Sequence, residues 1–415
     1  MPIDGLVFSA LCRELSLELV NARIQGVQQA GPHELILHLR QPGRTHMLLI
    51  SAHPQASRMH LTSEEPPGSP TPTPFCLFLR RHLIPGRVLR VEQPPFERVA
   101  RLVVEGRGDD GGRTERELVV EATGRHSNVI LVDRASGLVL DAMKRVPAEA
   151  NRFREVLPGR PYVPPPDQRK LDPGRVDFET FDRTLRHSPA DAPISRLLSE
   201  RWMGIGPFAA RELLARAGLP AATLRADLDE GAISQLWKSF QELFDSLARG
   251  EITPNAVEQG EERAFWIFPI LSQEGRRRTF PNVSALLDWD WRLAFEKARK
   301  EGLESRLRSA LKQHLERLER KIERQEAELE SGRRAHEFKA AADLLTANLY
   351  RLRDLPAGTP KVRLADFSGE REVEIDLDPS LTPAQNAQEY YRRFQKAKKT
   401  LEKAAQQLEA SIAER

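Results

Sequence analysis

The chain runs to 415 residues, with 63 Lys and Arg against 60 Asp and Glu, a net charge of +3 and a hydrophobic share of 40%. This length exceeds one ordinary core and predicts roughly two to four domains, while so balanced a charge says nothing of nucleic acid until the basic residues are placed. Cys12 and Cys76 alone cannot build a four-cysteine zinc site or a disulfide framework, and no apolar run reaches the roughly 18 residues of a membrane span, so a cytosolic chain without a membrane partner is expected.

The first element expected is an amphipathic helix over residues 3 to 20, with Leu6, Val7, Leu11, Leu15 and Leu19 on one stripe. Arg13 and Glu14 interrupt its apolar run, which gives no support to export. Alternating strands follow at Arg23–Gln29, Glu34–Arg40 and His46–Ser51. A Pro/Ser/Thr-rich loop, Glu64–Pro74, leads to a second helix at Phe75–Leu83, which Pro85-Gly86 closes. Strands resume at Arg87–Gln93, Arg98–Glu105, Glu115–Ala122, Asn128–Asp133 and Leu138–Lys144, with a turn at Asp109–Arg113. The fold class expected is α+β, with a mainly antiparallel sheet in its N-terminal domain.

Pro164-Pro165-Pro166 and Pro173 mark a linker. Helical periodicity follows at Ile194, Leu197, Leu198 and Trp202, then Gly204-Ile205-Gly206-Pro207, a helix from Phe208 to Ala217 and a short β-rich piece at Ala264–Leu271. A long charged helix is expected from about Trp291 to Ala335, with a heptad seam at Leu311, Leu315, Leu318, Ile322, Gln325 and Leu329. A second seam runs through Tyr390, Phe394, Ala397, Leu401, Ala404 and Leu408. Between them lie a helix at Glu337–Leu352 and strands at Lys361–Ala365 and Val373–Leu377. Two seams with a return predict a long antiparallel coiled coil. The domains expected are therefore 1–172, 173–282 and 283–415, the last with a β-containing insert at about 353–380.

Few motifs carry chemistry. Gly204-Ile205-Gly206 between two helices has the form of a helix-hairpin-helix, whose glycines admit a phosphate to the backbone N–H groups of the second helix. Such turns are common, and the contact reads no sequence. Basic residues gather at Arg80–Arg101 and again at 144–170; charge runs are usually solvated faces. Removal of Met1 would expose Pro2, the nucleophile type of one DNA glycosylase class, but Ile3-Asp4 lacks that class's acidic pair and its zinc finger cannot be built. His33, His38, His46, His53 and His60 show no metal-ligand spacing. No P-loop, GxSxG or strand-borne GxGxxG occurs.

Taken in order, several stretches resemble the NFACT family. They run from Asp4-Gly5-Leu6 through Phe75–Leu83, Glu97-Arg98, Gly124-Arg125-His126-Ser127-Asn128-Val129-Ile130-Leu131 and Asp141–Val146 to Asn386-Ala387-Gln388-Glu389-Tyr390-Tyr391, followed by Lys396, Lys398 and Lys399. The resemblance implies a glycosylase-like N-terminal domain without lyase chemistry, a helix-hairpin-helix domain and a coiled-coil arm. It implies tRNA contacts at Asp4, Glu97 and Arg98, where Glu97 stands in place of the family's aspartate and lengthens the arm while keeping its charge. Arg125, His126 and Asn128 are further tRNA-binding candidates, and Gly204 and Gly206 the phosphate-backbone contacts. No catalytic residue, metal or cofactor is implied.

The implied function is ribosome quality control. Such a factor binds obstructed large ribosomal subunits, their rRNA and stalled peptidyl-tRNA. It recruits alanyl-tRNA so that an alanine tail grows without mRNA, with peptide bonds made by the ribosome. A small ribosome-associated RNA-binding protein is a further implied partner. Against the family's pattern, the C-terminal NFACT-R domain is expected to be missing after Arg415. Relatives described as fibronectin- or fibrinogen-binding proteins supply the rival reading, an adhesin, and a DNA-binding glycosylase-like protein is the third.

Overall fold

A computed structural model describes residues 3–66, 68–69, 71–107, 112–260, 262–356, 358–369 and 371–414. Two compact units result, Met1–Phe295 and Glu296–Arg415.

The first unit is built on a nine-stranded antiparallel sheet in the order β4-β3-β2-β1-β5-β6-β7-β8-β9. Its members are β1 (Arg23–Gly31), β2 (Glu34–Gln41), β3 (Arg44–Ser51), β4 (Arg58–Thr62), β5 (Arg87–Glu92), β6 (Val99–Arg107), β7 (Arg113–Glu121), β8 (Asn128–Asp133) and β9 (Val139–Ala142). Helix α1 (Gly5–Leu19) starts where the Asp4 carboxylate accepts from the Val7 N–H, and α2 (Pro74–Leu83) starts at Thr73, whose hydroxyl accepts from Cys76. Both helices bury apolar stripes in one core with alternate residues of the strands, Leu118, Val120 and Leu131 among them. The intervening Val119, Ile130 and Val132 face the other way into a second cluster, closed by Val146, Val156 and Tyr162. Arg154 donates to both Glu121 and the Val163 carbonyl, while Tyr162 donates to Glu121, which straps the Pro-rich segment over that face.

Strand β4 is absent from the sequence reading because Arg58, His60 and Thr62 carry polar side chains on the face it buries. Their partners come from far along the chain. Arg58 lies 3.0 Å from Asp290, Arg263 lies 2.8 Å from the same carboxylate, and Arg292 binds Asp288. Asp288 and Asp290 sit on α7 (Val283–Arg333), which begins eight residues earlier than Trp291. Its start is fixed by Asn282 accepting from Ala285 and by Glu14 of α1 accepting from Val283.

The helical region comprises α3 (Phe178–Arg186), α4 (Ile194–Arg201), α5 (Pro207–Arg216) and α6 (Glu230–Arg249), packed around Phe181, Trp202, Phe240 and Phe244. A three-stranded sheet follows in the order β11-β10-β12, from β10 (Asn255–Gln259), β11 (Glu262–Trp266) and β12 (Arg276–Thr279).

The second unit holds the rest of α7, α8 (Ala335–Ala347), the hairpin β13 (Lys361–Ala365) and β14 (Glu372–Asp376), and α9 (Pro383–Glu414). Leu344, Leu345, Leu364, Ile375 and Ala387 form its core. Asn386 pins the loop before α9, accepting from the Asp378 N–H and donating to the Asp378 carbonyl. Leu318, Ile322 and Gln325 of α7 are buried, as are Ala404 and Ser411 of α9, and His314 lies 3.7 Å from Glu414. Leu311 and Leu315, expected in the first seam, are instead 61% and 40% exposed. Residues 109–111 of the turn expected at Asp109–Arg113 and parts of the Glu64–Pro74 loop lie outside the described residues, as does Pro2.

Removal of Arg58 leaves a buried Asp290 with one of its two arginines gone. Arg58→Ala should cost about 3–5 kcal/mol of stability at neutral pH. Urea unfolding followed by tryptophan fluorescence checks this, since all five tryptophans lie before residue 295; an unchanged midpoint would sink the assignment.

Candidate nucleic-acid interface

A cavity of about 410 Å³ opens where the start of α1, the turn before β6, the Pro-rich segment and the turn before α5 meet. Its walls include Asp4, Gly5, Phe96, Glu97, Arg98, Lys170, Gly204, Gly206, Phe208 and Arg211. Five of the expected site residues, Asp4, Glu97, Arg98, Gly204 and Gly206, therefore share one wall system although they span about half the chain.

Missing side chains make this convergence possible. A Cβ on Gly5 would stand 2.3 Å from the Phe96 carbonyl oxygen and 2.6 Å from the Gly204 Cα. Gly204 has φ +81°, a left-handed conformation that favours glycine, and a Cβ on Gly206 would touch the Asp4 side chain at 3.0 Å. Phe96 is also left-handed, at φ +53°, and is held there with its ring edge-on to Phe244 at 5.4 Å. A non-glycine residue in that region costs roughly 1–3 kcal/mol and persists only where packing enforces it.

The charges at the cavity have separate causes. Asp4 accepts from Val7 N–H at 2.9 Å and from the Trp266 indole at 3.3 Å. Burial pushes its carboxyl up to about 6 despite these bonds and the nearby Arg98. Burial likewise lowers Arg98, which Asp4 partly offsets, and its guanidinium is 3.5 Å from the Ile3 carbonyl. Glu97 is raised by burial and then by Asp167, with Arg101 opposing. Arg98 thus has Asp4, not its neighbour Glu97, as its carboxylate counterpart. Lys170 donates to the Ser199 carbonyl at 2.8 Å, and exposed Arg211 lies 5.9 Å from the Phe208 ring centre. Gly206 caps α5 without a side-chain bond and Pro207 has no N–H, so the first turn presents its remaining backbone donors to the cavity mouth. Arginine, lysine and helix N-termini together favour an anion with several oxygens, such as a phosphate.

Arg125, His126 and Asn128 do not line this cavity. Arg125 and His126 lie on an exposed turn, 3.0 Å apart between Nε and Nε2. Asn128 is buried and clamps the sheet, accepting from the N–H groups of Val129 and Lys144 and donating to the Lys144 carbonyl. Phe96 and Arg211 escaped the sequence reading, since a lone Phe after two prolines and a lone Arg on a helix carry no signal; Lys170 appeared there only within a basic run. Among the described residues no cluster of three metal-ligating side chains occurs, and no helix is long and apolar enough to cross a membrane.

Comparison with known proteins decides the family, because the model for NFACT N-terminal and middle domains matches residues 4–414. The chain belongs to the NFACT family. The Rqc2 homolog RqcH of Bacillus subtilis is 31% identical over 98% of this NFACT chain and 69% of its own length. The N-terminal structure of the fibronectin/fibrinogen-binding protein from Streptococcus suis is 27% identical, with TM-score 0.58, over 70% of this chain and 98% of that one. The fibrinogen binding protein from Staphylococcus aureus, 23% identical with TM-score 0.58 over 69% of this chain and 98% of that one, shares the fold. The NFACT chain is therefore a homologue of the Rqc2-type ribosome quality control factors.

The raised carboxyl gives a pH signature. Asp4 holds a proton to about pH 6 when folded but only to about 3.8 when unfolded. Its contribution to stability is therefore full below about 3.8 and is lost as pH rises through about 6. Asp4→Asn keeps an oxygen for the Val7 cap and should remove this part of the decline. Unfolding free energies measured from pH 4 to pH 7 should give variant and wild-type curves that diverge upward, and parallel curves would contradict the placement of this carboxyl.

Proposed function

We propose that this NFACT chain binds tRNA and obstructed large ribosomal subunits in ribosome quality control, recruiting alanyl-tRNA to stalled peptidyl-tRNA complexes so that an alanine tail grows. The reading is carried by one observation: Asp4, Glu97 and Arg98 converge with the open N-terminus of α5 on a single cavity. Arg98 offers a fork of donors that Asp4 orients, and the Gly204–Gly206 turn lets a phosphate reach the α5 backbone, as a helix-hairpin-helix would. Nothing there resembles a nucleophile with its base. The protein's part is to position the tRNA, and the ribosome supplies the bond-forming chemistry.

The two long helices of the second unit form, in this reading, an antiparallel coiled-coil arm that engages the large subunit. Support comes from the buried rows on α7 and α9 and from the His314–Glu414 contact. The rival adhesin reading draws on the names of the Streptococcus suis and Staphylococcus aureus proteins. RNA recovered with the purified protein separates the two: tRNA with large-subunit RNA supports the first, and its absence with retained fibronectin binding supports the second.

Arg98→Ala should weaken alanyl-tRNA binding on the order of tenfold at fixed salt and lower the salt slope by about one unit. Glu97→Ala should act in the same direction but less, because Glu97 has no bond to Arg98. Filter binding at several salt concentrations measures both, and unchanged affinity in the two variants would remove the tRNA assignment.

Cysteines at positions 314 and 414 should join within one chain through a short bismaleimide. The native thiols do not compete, since Cys12 is buried and pushed up to about 12 and Cys76 is buried and raised as well. Products found only as covalent dimers would replace the antiparallel arm with a parallel intermolecular one.

A further inference from the structure

Strand β12 reads Arg276-Arg277-Arg278-Thr279, every residue exposed, on the open edge of the β11-β10-β12 sheet. Alternation along a strand places Arg276 and Arg278 on one face and Arg277 on the other. Arg277 is committed to the structure, donating to the Ile270 carbonyl at 2.5 Å. Arg278 lies over an aromatic pair, 5.6 Å from the Phe280 centroid and 5.9 Å from that of Trp289. Arg276 makes no side-chain hydrogen bond or ion pair among the described residues, although Glu258 stands across from it on β10. Arg90, Arg134, Arg154 and Arg263 of this unit, by contrast, each bind a carboxylate. Edge protection alone needs a charge or two on such a strand. It does not need one guanidinium preset on two rings beside another left without a partner.

We infer that the β12 edge is a second RNA contact, with Arg276 and Arg278 binding successive phosphates of a backbone that also reaches the cavity at Asp4 and Arg98. The register supports the span. Thr279 pairs with Asn255, and Asn255 pairs with Trp266, whose indole donates to the cavity's Asp4. Two strand spacings, about 10 Å, therefore separate Thr279 from the buried Trp266, and the Trp266 side chain spans the remaining gap to Asp4 of the cavity wall. Arginine stacked on an aromatic face keeps its donors free and its plane fixed, which favours the oxygens of a phosphate over a single carboxylate. The contact reads backbone, not sequence. This inference rests on the RNA-binding reading of the cavity and extends it to a longer footprint.

The test uses the full chain and a fluorescein-labelled RNA hairpin of mixed sequence, with anisotropy titrations over a series of KCl concentrations. Arg276→Gln should lower the slope of log affinity against log salt by about one, and Arg276→Gln with Arg278→Gln by about two, with a loss on the order of tenfold at fixed salt. Should the double variant melt early because Arg278 leaves its rings, Arg276→Gln decides alone, since that side chain holds nothing in the fold. An unchanged slope in Arg276→Gln beside weakened binding in Arg98→Ala overturns the edge-strand contact and leaves the cavity reading in place. Unchanged binding in all variants overturns both.

Discussion

The close approach of three backbones, at Gly5, Phe96 and Gly204, governs what the rest of the first unit can do. Each comes from a different element: the first residue of α1, the turn before β6 and the turn before α5. A single Cβ at Gly5 would fall inside the contact distance of both others. With none present, two helix N-termini reach one cavity, and the strained Phe96 turn delivers Glu97 and Arg98 to its rim. Precision of this kind depends on rigid elements around it, and the aromatic cluster of Phe181, Trp202, Phe240 and Phe244 supplies that rigidity from the far side.

The cavity's electrostatics suit holding more than reacting. Asp4 is the most perturbed carboxyl there, yet its oxygens already serve the α1 cap and the Trp266 indole. A base needs a lone pair aimed at a substrate proton, and each Asp4 oxygen already accepts a bond from the fold. What remains available is donor capacity: the guanidinia of Arg98 and Arg211 and the first turn of α5. Donors without an adjacent nucleophile grip an anion and leave its bonds intact.

Much of the large sheet was legible in the sequence because period-two patterns report burial directly. Eight of the nine strands of the large sheet begin or end within two residues of the alternating runs, and β8 matches at both ends. β4 was invisible for the same reason reversed: its buried face is Arg58 and His60, whose partners Asp288 and Asp290 lie more than 220 residues away. Helices α3 and α6 were passed over although both carry clear Asp caps, at Asp177 and Asp229. The site was legible in part. Asp4, Glu97, Arg98, Gly204 and Gly206 were singled out and do meet, but sequence could not show that they meet, since the approach depends on tertiary packing. Asn128 was a poor candidate for a contact, because a buried amide with all its bonds inside the sheet has none to offer a ligand.

Recognisable motifs and cavity-lining residues thus overlap only in part. Asn386, Tyr390 and Tyr391 belong to the stretch that most resembles the family, and all three are occupied internally: Asn386 with the Asp378 loop, Tyr390 with the Asp376 carbonyl and Tyr391 with Asp343. Their constraint is geometric, since each bond requires one residue type at one place to close the small second core. Arg276 and Arg211 have no such constraint and no such recognisability, and both are exposed. Residues that close the small second core satisfy one another, whereas exposed charges such as these hold nothing in the fold.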